Sequence, residues 1–351
     1  MPPARATSSA RALEAILPLI ASGQPYEAHQ KARTFASRYN KSGQYDTAID
    51  VLFQSARELL KVGQQGSGSD LAAFLLDVYE NKGETVSEES RGRLTQLIAL
   101  TGPSGSWRKT IIDKSIAWSA KVGPHPGGDP DLHHYVGELL YKEGNFAAAE
   151  PHLLAAGKRD SARLLAEMFV QWAGPDGPAA PFALRGTIPY LQNGNILAAR
   201  TFITHYVSQL TARRPSLLSP HQPSPIPVGK PTDSELDEIV FTTDSTLNFA
   251  QLAVRACQRA QGDKNKAMRE AWVRLCGTYQ SKGGLVANRE VRKALSEIAE
   301  LYFAIPPPRA QQANPLGDMI SAMFGGGAPQ SATPSRRVLA PAPPTSTPGL
   351  D

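Results

Sequence analysis

PYEAHQKARTFASRYNKSGQYDTAIDVLFQSARELLKVGQQGSGSDLAAFLLDVYE, residues 25–80, decides the fold. Pro25 suits a first helical position, where a missing N–H costs nothing. Ala28, Ala32, Phe35, Ala36 and Tyr39 then recur with helical spacing and form one buried stripe as far as Lys41. Gln30, Arg33, Ser37 and Lys41 occupy the opposite arc, with Lys31 and Arg38 at its edge. Ser42-Gly43 breaks the helix, glycine being the residue that accepts a left-handed cap. A second helix follows through Tyr45, Ala48, Ile49, Leu52, Phe53, Ala56, Leu59 and Leu60. Gly63 to Ser69 reads as a loop with Ser69 or Asp70 as the next N-cap, and Leu71, Phe74, Leu75, Val78 and Tyr79 form the following apolar face. A helix pair followed by another helix is the unit of an α-solenoid.

Upstream, Thr7–Ser22 makes a first helix with Leu13, Ile16, Leu17 and Ile20 inward; Glu14 and Pro18 argue against a secretory leader. Downstream, Ser87-Glu-Glu-Ser90 opens a helix as an N-cap with acids in the first turn. Trp107–Val122 offers Trp107, Ile111, Ile112, Ile116 and Trp118 for burial, Pro130 starts the next helix, and Phe146–Ala156 pairs with Lys158–Trp172. A Gly/Pro break at Gly174–Pro181 divides the array into residues 1–172 and 173–305. The second part holds helices over about Ala183–Gln192, Asn195–Arg213, Thr246–Ala260, Lys264–Ser281 and Asn288–Phe303.

Helix starts share one pattern: Gly23-Gln-x-x-x-Ala28, Gly43-Gln-x-x-x-Ala48, Gly144-Asn-x-x-x-Ala149, Gly194-Asn-x-x-x-Ala199 and Gly262-Asp-x-x-x-Ala267. The spacing is uneven, unlike the regular period of about 34 residues of strict tetratricopeptide repeats. The fold expected is therefore all-α, an irregular TPR-like α-solenoid of about 14 helices.

Residues 214–231 hold six prolines and predict an exposed, non-helical segment. Ile239, Val240, Phe241, Thr242 and Thr243 follow, all β-favouring. This stretch is either a small hairpin within residues 226–243, pairing near Ile226–Val228, or the entry to a helix. Beyond Pro306 the tail to Asp351 is rich in Pro, Ala, Ser and Thr and is expected to be disordered. One island, residues 315–324, places Leu316, Met319, Ile320, Met323 and Phe324 on one helical face.

Chemical signatures are missing where they would be needed. Gly66-Ser-Gly-Ser-Asp70 lacks the Gly-Lys-Ser/Thr of a phosphate loop and the strand before it. His133, His134 and His152 do not have the spacing of two ligands on one helix face. Cys257 and Cys276 sit in apolar helices and read as small buried side chains of a reducing compartment. Thirty-seven basic and 32 acidic residues are interleaved, and each tryptophan has apolar helical neighbours, so a nucleic-acid surface is not favoured. No run of apolar residues is long enough to cross a bilayer as a helix. The residues thus predict a non-enzymatic scaffold without metal or cofactor. A generic TPR-like adaptor and a helical-repeat RNA binder remain alternatives.

The run YEAHQKARTFASRYNKSGQYDTAIDVL, the following GSGSDLAAFLLDVYE, Gly128-Asp-Pro-Asp-Leu-His133, LNFAQLAVRACQ over Leu247–Gln258 and LGDMISAMFGGG over Leu316–Gly327 resemble the Golgi-to-ER traffic protein four family. The resemblance is weak between about 175 and 235, where the proline-rich insert departs from the family's hairpin region. It implies a cytosolic bridging subunit of tail-anchored protein delivery to the endoplasmic reticulum. The N-terminal half would bind a dimeric targeting ATPase. The C-terminal half would hold a ubiquitin-like partner that recruits a client-loaded TPR co-chaperone. By resemblance, Arg11, His29, Arg33, Arg38, Lys41, Asp70, Asp77 and Glu80 would meet the ATPase. Ile239, Val240, Phe241, Leu247, Phe249 and Leu252 would meet the ubiquitin-like partner.

Overall fold

The computed structural model describes residues 8–103, 105–228 and 237–306. Among these, the chain forms fourteen α-helices and a single two-stranded hairpin. It divides into two compact units, Met1–Ala156 and Gly157–Asp351. That division comes earlier in the chain than residue 172, and the Gly174–Pro181 break lies inside the second unit. The tail island 315–324 is outside the described residues.

The first unit contains α1 (Ser8–Ala21), α2 (Pro25–Lys41), α3 (Tyr45–Lys61), α4 (Gln65–Lys82), α5 (Glu88–Leu100), α6 (Trp107–Val122), α7 (Pro130–Lys142) and α8 (Phe146–Ala156). Helices α1 to α4 each pack on their successor, as do α5 to α7, and α1–α3–α5–α7 and α2–α4–α6 form two layers. This is solenoid packing, in which an amphipathic helix is stable only between its neighbours. The small residues of the α2 stripe, Ala28, Ala32 and Ala36, are wholly buried, while Phe35 and Tyr39 flank them half-buried. The Ser87 cap forms as expected: its Oγ accepts from the Ser90 N–H, and Ser90 Oγ accepts from the Ser87 N–H.

The repeated pattern has one physical form. After α1, α2, α3, α7 and α10 (Ala180–Gln192) the glycine adopts φ between 73° and 79°. The N–H of the next residue bonds five residues back: Gln24 to Leu19, Gln44 to Tyr39, Gln64 to Leu59, Asn145 to Leu140 and Asn195 to Tyr190, at 2.8–2.9 Å. That same residue is the N-cap of the next helix, its carbonyl accepting from Ala28, Ala48, Gly68, Ala149 or Ala199 at 2.9–3.1 Å. A helix end and a helix start thus share one residue.

The structure departs from three of these expectations. Gly63 to Ser69 is not a loop: Gly63-Gln64-x-x-x-Gly68 is a further copy of the unit with glycine replacing alanine, and α4 begins at Gln65. The reason is close approach, since a Cβ on Gly68 would lie 2.5 Å from Leu60 Cγ and 3.2 Å from the Ala56 carbonyl. In the other direction, Gly262-Asp-x-x-x-Ala267 is not a copy. Gly262 N–H bonds to the Tyr302 carbonyl, Asn265 is the cap that starts the next helix, and Ala267 is exposed. Trp107, expected inside, is 46 % exposed. It stands at the first position of α6 with its ring beside Gly66.

The second unit contains α9 (Arg159–Ala173), α10, α11 (Ile196–Arg213), α12 (Ser245–Gln258), α13 (Lys266–Ser281) and α14 (Arg289–Phe303). Pairs α9/α11 and α10/α12 continue the alternate packing, and α14 returns to α10. Tyr302 Oη donates to the Leu191 carbonyl at 3.0 Å and Gln192 Nε2 to Glu297 at 2.7 Å. Between α11 and α12 the proline-rich segment forms a short turn at Pro215–Leu217 and β1 (Ile226–Val228), which pairs antiparallel with β2 (Asp237–Ile239). The hairpin alternative holds, but Val240–Thr243 lie outside β2.

Gly66 and Gly68 separate conformational from packing cost. Gly66→Ala faces only ordinary contact with Trp107, at 3.6 Å, and gains helix propensity. We expect it to be neutral or stabilising by up to ~1 kcal/mol in urea denaturation. Gly68→Ala must displace the buried Leu60 and should cost ~1–3 kcal/mol. Equal effects at the two sites would refute the close-approach account.

Candidate functional site

On the first unit, the resemblance-derived residues of α2 and α4 come together in part. His29 and Arg33, one helical turn apart, both reach Asp70 of α4. His29 Nε2 is 2.8 Å from Asp70 Oδ2, and Arg33 Nη1 donates to the same oxygen. The Arg33 guanidinium also lies over the Phe74 ring, 5.6 Å from its centroid, in cation–π geometry. Burial alone would raise the Asp70 carboxyl, but hydrogen bonds from His29 and Arg33 outweigh it and hold it below its usual value. Glu80 is engaged elsewhere, with Lys121 of α6 at 2.8 Å. Arg11, Arg38, Lys41 and Asp77 are exposed and join no ion pair among the described residues. Arg38 and Lys41 sit in the last turn of α2, where the helix dipole favours cations. The face therefore carries a self-neutralised triad and, at the C-terminal end of α2, two cations free to meet an acidic surface.

On the second unit, Ile239, Leu247 and Phe249 are 5 %, 0 % and 1 % exposed and belong to this unit's own core. Phe249 packs on Tyr279 at 5.4 Å between centroids. Val240, Phe241 and Leu252 keep accessible surface. The extended backbone between β2 and α12 is satisfied from two sides. Gln251 of α12 accepts from the Val240 N–H at 3.0 Å and donates to its carbonyl at 2.8 Å. Asn248, one turn earlier, does the same for Thr242 at 2.8 and 2.7 Å. In between, the Phe241 carbonyl accepts from Ser219 and the Thr243 N–H donates to Leu217. These amides are i and i+3 on one helix face, matching the two-residue period of the extended segment.

The hairpin is anchored by charge. Asp237 of β2 accepts from Arg200 of α11 at 2.7 Å and pairs with Arg255 of α12 at 2.8 Å; Gln258 takes its second oxygen at 3.2 Å. Arg255 is 6 % exposed, and its guanidinium also reaches the Glu238 carbonyl. Sequence reasoning singled out neither Asp237 nor Arg255. The available signal was an arginine inside the apolar run LAVRACQ, which a helix buries only with a partner.

The remaining chemistry-bearing groups have structural surroundings. His133 Nε2 bonds to the Gly127 carbonyl and is the protonated nitrogen, so His133 Nδ1 accepts from His152 Nδ1–H at 2.9 Å. Burial depresses both imidazoles; His152, also beside His133, falls to about 4. Burial pushes the Cys257 thiol up, and that of Cys276 to about 12, which leaves neither as a thiolate near neutrality. Among the described residues no group of three His, Cys, Asp or Glu is placed to hold a metal, and no helix is long and apolar enough to cross a membrane.

Residues 42–324 match the family model described as Golgi to ER traffic protein 4. The chain belongs to that family. It is 36 % identical over 348 residues to Golgi to ER traffic protein 4 of Aspergillus fumigatus, covering 92 % of this chain and 94 % of that one. The Schizosaccharomyces pombe protein of the same name is 30 % identical, covering 88 % and 93 %. The Homo sapiens homolog is 24 % identical, covering 87 % and 84 %. The crystal structure of C. therm. Get4 superposes with a TM-score of 0.76 at 34 % identity, covering 93 % of this chain and all of that one. Family membership supports a role in Golgi-to-ER traffic.

The histidine pair gives the first unit an acid limit. Below about 6.5 the unfolded chain binds protons that the folded imidazoles refuse, so stability falls from there toward about 4. His152 alone accounts for roughly 3 kcal/mol over that span. His152→Asn, whose amide can donate to His133 Nδ1, should flatten the fall in urea titrations between pH 6.5 and pH 4. An unchanged slope would show that the pair does not govern it.

Proposed function

We propose that this chain is a non-enzymatic scaffold that bridges a ubiquitin-like partner to a targeting ATPase during delivery of tail-anchored proteins to the endoplasmic reticulum, acting in the cytosol. The reading rests on family membership, and the observation that carries it into this structure is the division of surfaces. An open charged face lies on α2 and α4 of the first unit, and a braced hairpin segment with accessible Val240, Phe241 and Leu252 lies on the second. The ATPase is assigned to Arg11, Arg38, Lys41 and Asp77, with the His29–Arg33–Asp70 triad fixing the α2–α4 geometry beside them. The ubiquitin-like partner, and through it a TPR co-chaperone, is assigned to the segment around Phe241. No nucleic acid and no insertion into the membrane enter this scheme.

Two experiments test the halves separately. Exposed charges act mainly on association rate and specificity, so Arg38→Glu with Lys41→Glu should weaken ATPase capture at least roughly tenfold at low salt. That difference should shrink at high salt, with the partner still bound. Equal capture by variant and wild type in a salt series would remove these residues from the contact. Phe241→Asp should lose the ubiquitin-like partner in co-purification, by ~2 kcal/mol or roughly 30-fold in affinity, as for a buried aromatic anchor. Undiminished recovery with unchanged circular dichroism would show that Phe241 is no anchor.

A further inference from the structure

Helix α13 is thinly covered. Of its residues only Trp272 is buried, stacked on Phe303 at 4.9 Å between centroids, and the adjacent Val273 is 58 % exposed. Val273, Ile305 and the side chains of Lys266, Arg269, Glu270 and Arg274 line an open groove of about 510 Å3. The chain turns out of α14 beside it. Ala304 takes a left-handed conformation at φ 50°, and Arg269 holds its carbonyl at 3.4 Å. The described structure therefore ends at Pro306 on the lip of this groove, with residues 307–351 still to run.

The sequence beyond supplies a matching occupant. Leu316, Met319, Ile320, Met323 and Phe324 fall at i, i+3, i+4, i+7 and i+8, the anchor spacing of a helix laid into a groove. The single charge in residues 315–324 is Asp318, whereas the groove carries three cations against Glu270. The ten residues from Pro306 to Leu316 can span up to ~33 Å, more than the ~24 Å length of α13. The family match also runs through this stretch and stops at residue 324.

We propose that the groove between α13 and Ile305 is the docking site of this chain's own segment Leu316–Phe324, bound as an amphipathic helix with its apolar face on Val273 and Ile305 and Asp318 toward Arg269 and Arg274. So short a tether gives an effective concentration near the millimolar range, so a modest intrinsic affinity fills the site. The proposal is independent of the bridging function.

The test uses the full chain with Cys276→Ser, Val273→Cys and Ile320→Cys under mild oxidation, with disulfides read by peptide mass spectrometry. We expect a 273–320 bond within single chains, forming roughly tenfold faster than in the same variant carrying Leu316→Asp and Met323→Asp. Equal rates, or no bond in the isolated protein, would overturn the proposal, the latter pointing to a different protein as occupant. A bond found only in covalent dimers would overturn it in favour of a second copy. Hydrogen exchange needs no cysteine: truncation after Arg309 should deprotect α13 amides roughly tenfold, and unchanged protection would count against docking.

Discussion

The turn in which one residue ends a helix and caps the next holds this fold together. A left-handed glycine closes the first helix, and its neighbour bonds five residues back while its own carbonyl receives the first bond of the second helix. No backbone is left for a loop, so consecutive helices must lie antiparallel and close. Close packing then requires a small residue one turn in, filled by Ala28, Ala48, Gly68, Ala149 and Ala199, each wholly buried or, for Gly68, unable to accept a Cβ without displacing Leu60. Turn chemistry and interhelical distance are one constraint. It sets the close packing of α1–α4 and recurs at α7–α8 and α10–α11, without any regular repeat length.

The second unit shows how a helical array accommodates an extended segment. A strand with only one paired neighbour leaves polar backbone without partners, and helices have no backbone groups to spare. The solution uses side chains: Gln251 and Asn248 serve as a substitute strand along Val240 and Thr242, while Asp237 ties the hairpin to α11 and α12 through two arginines. Replacing such a buried pair by apolar groups is often neutral, whereas removing one member is costly. Its natural consequence is a fixed position for the hairpin.

Most helices were legible because their signals are local. The stripe of α2, the serine cap of α5, the prolines opening α2 and α7 and the glycine-polar turns all state their roles within a few residues. Gly66–Ser69 misled because glycine in a helix is explained only by what approaches it, here Leu60 and Trp107 from elsewhere in the chain. Trp107 misled because an aromatic at a helix start can be only partly covered by its neighbours. For the candidate surfaces, charge on an exposed arc was readable, but its internal neutralisation was not. Arg33 and Asp70 are 37 residues apart and meet only through α2–α4 packing. Likewise Ile239, Leu247 and Phe249 gave the same apolar signal as Phe241, and only burial tells core from surface.

The proline-rich insert has a protective side. An exposed strand edge is a template for unwanted pairing between molecules. Here β1 carries Pro227 at its centre, directly after Ile226-preceding Pro225, so that edge lacks amide donors where a stray strand would need them. The continuation of β2 has its amides and carbonyls already engaged by Gln251, Asn248 and the 217–219 turn. The small sheet seen among the described residues is thus kept from becoming a nucleus for aggregation.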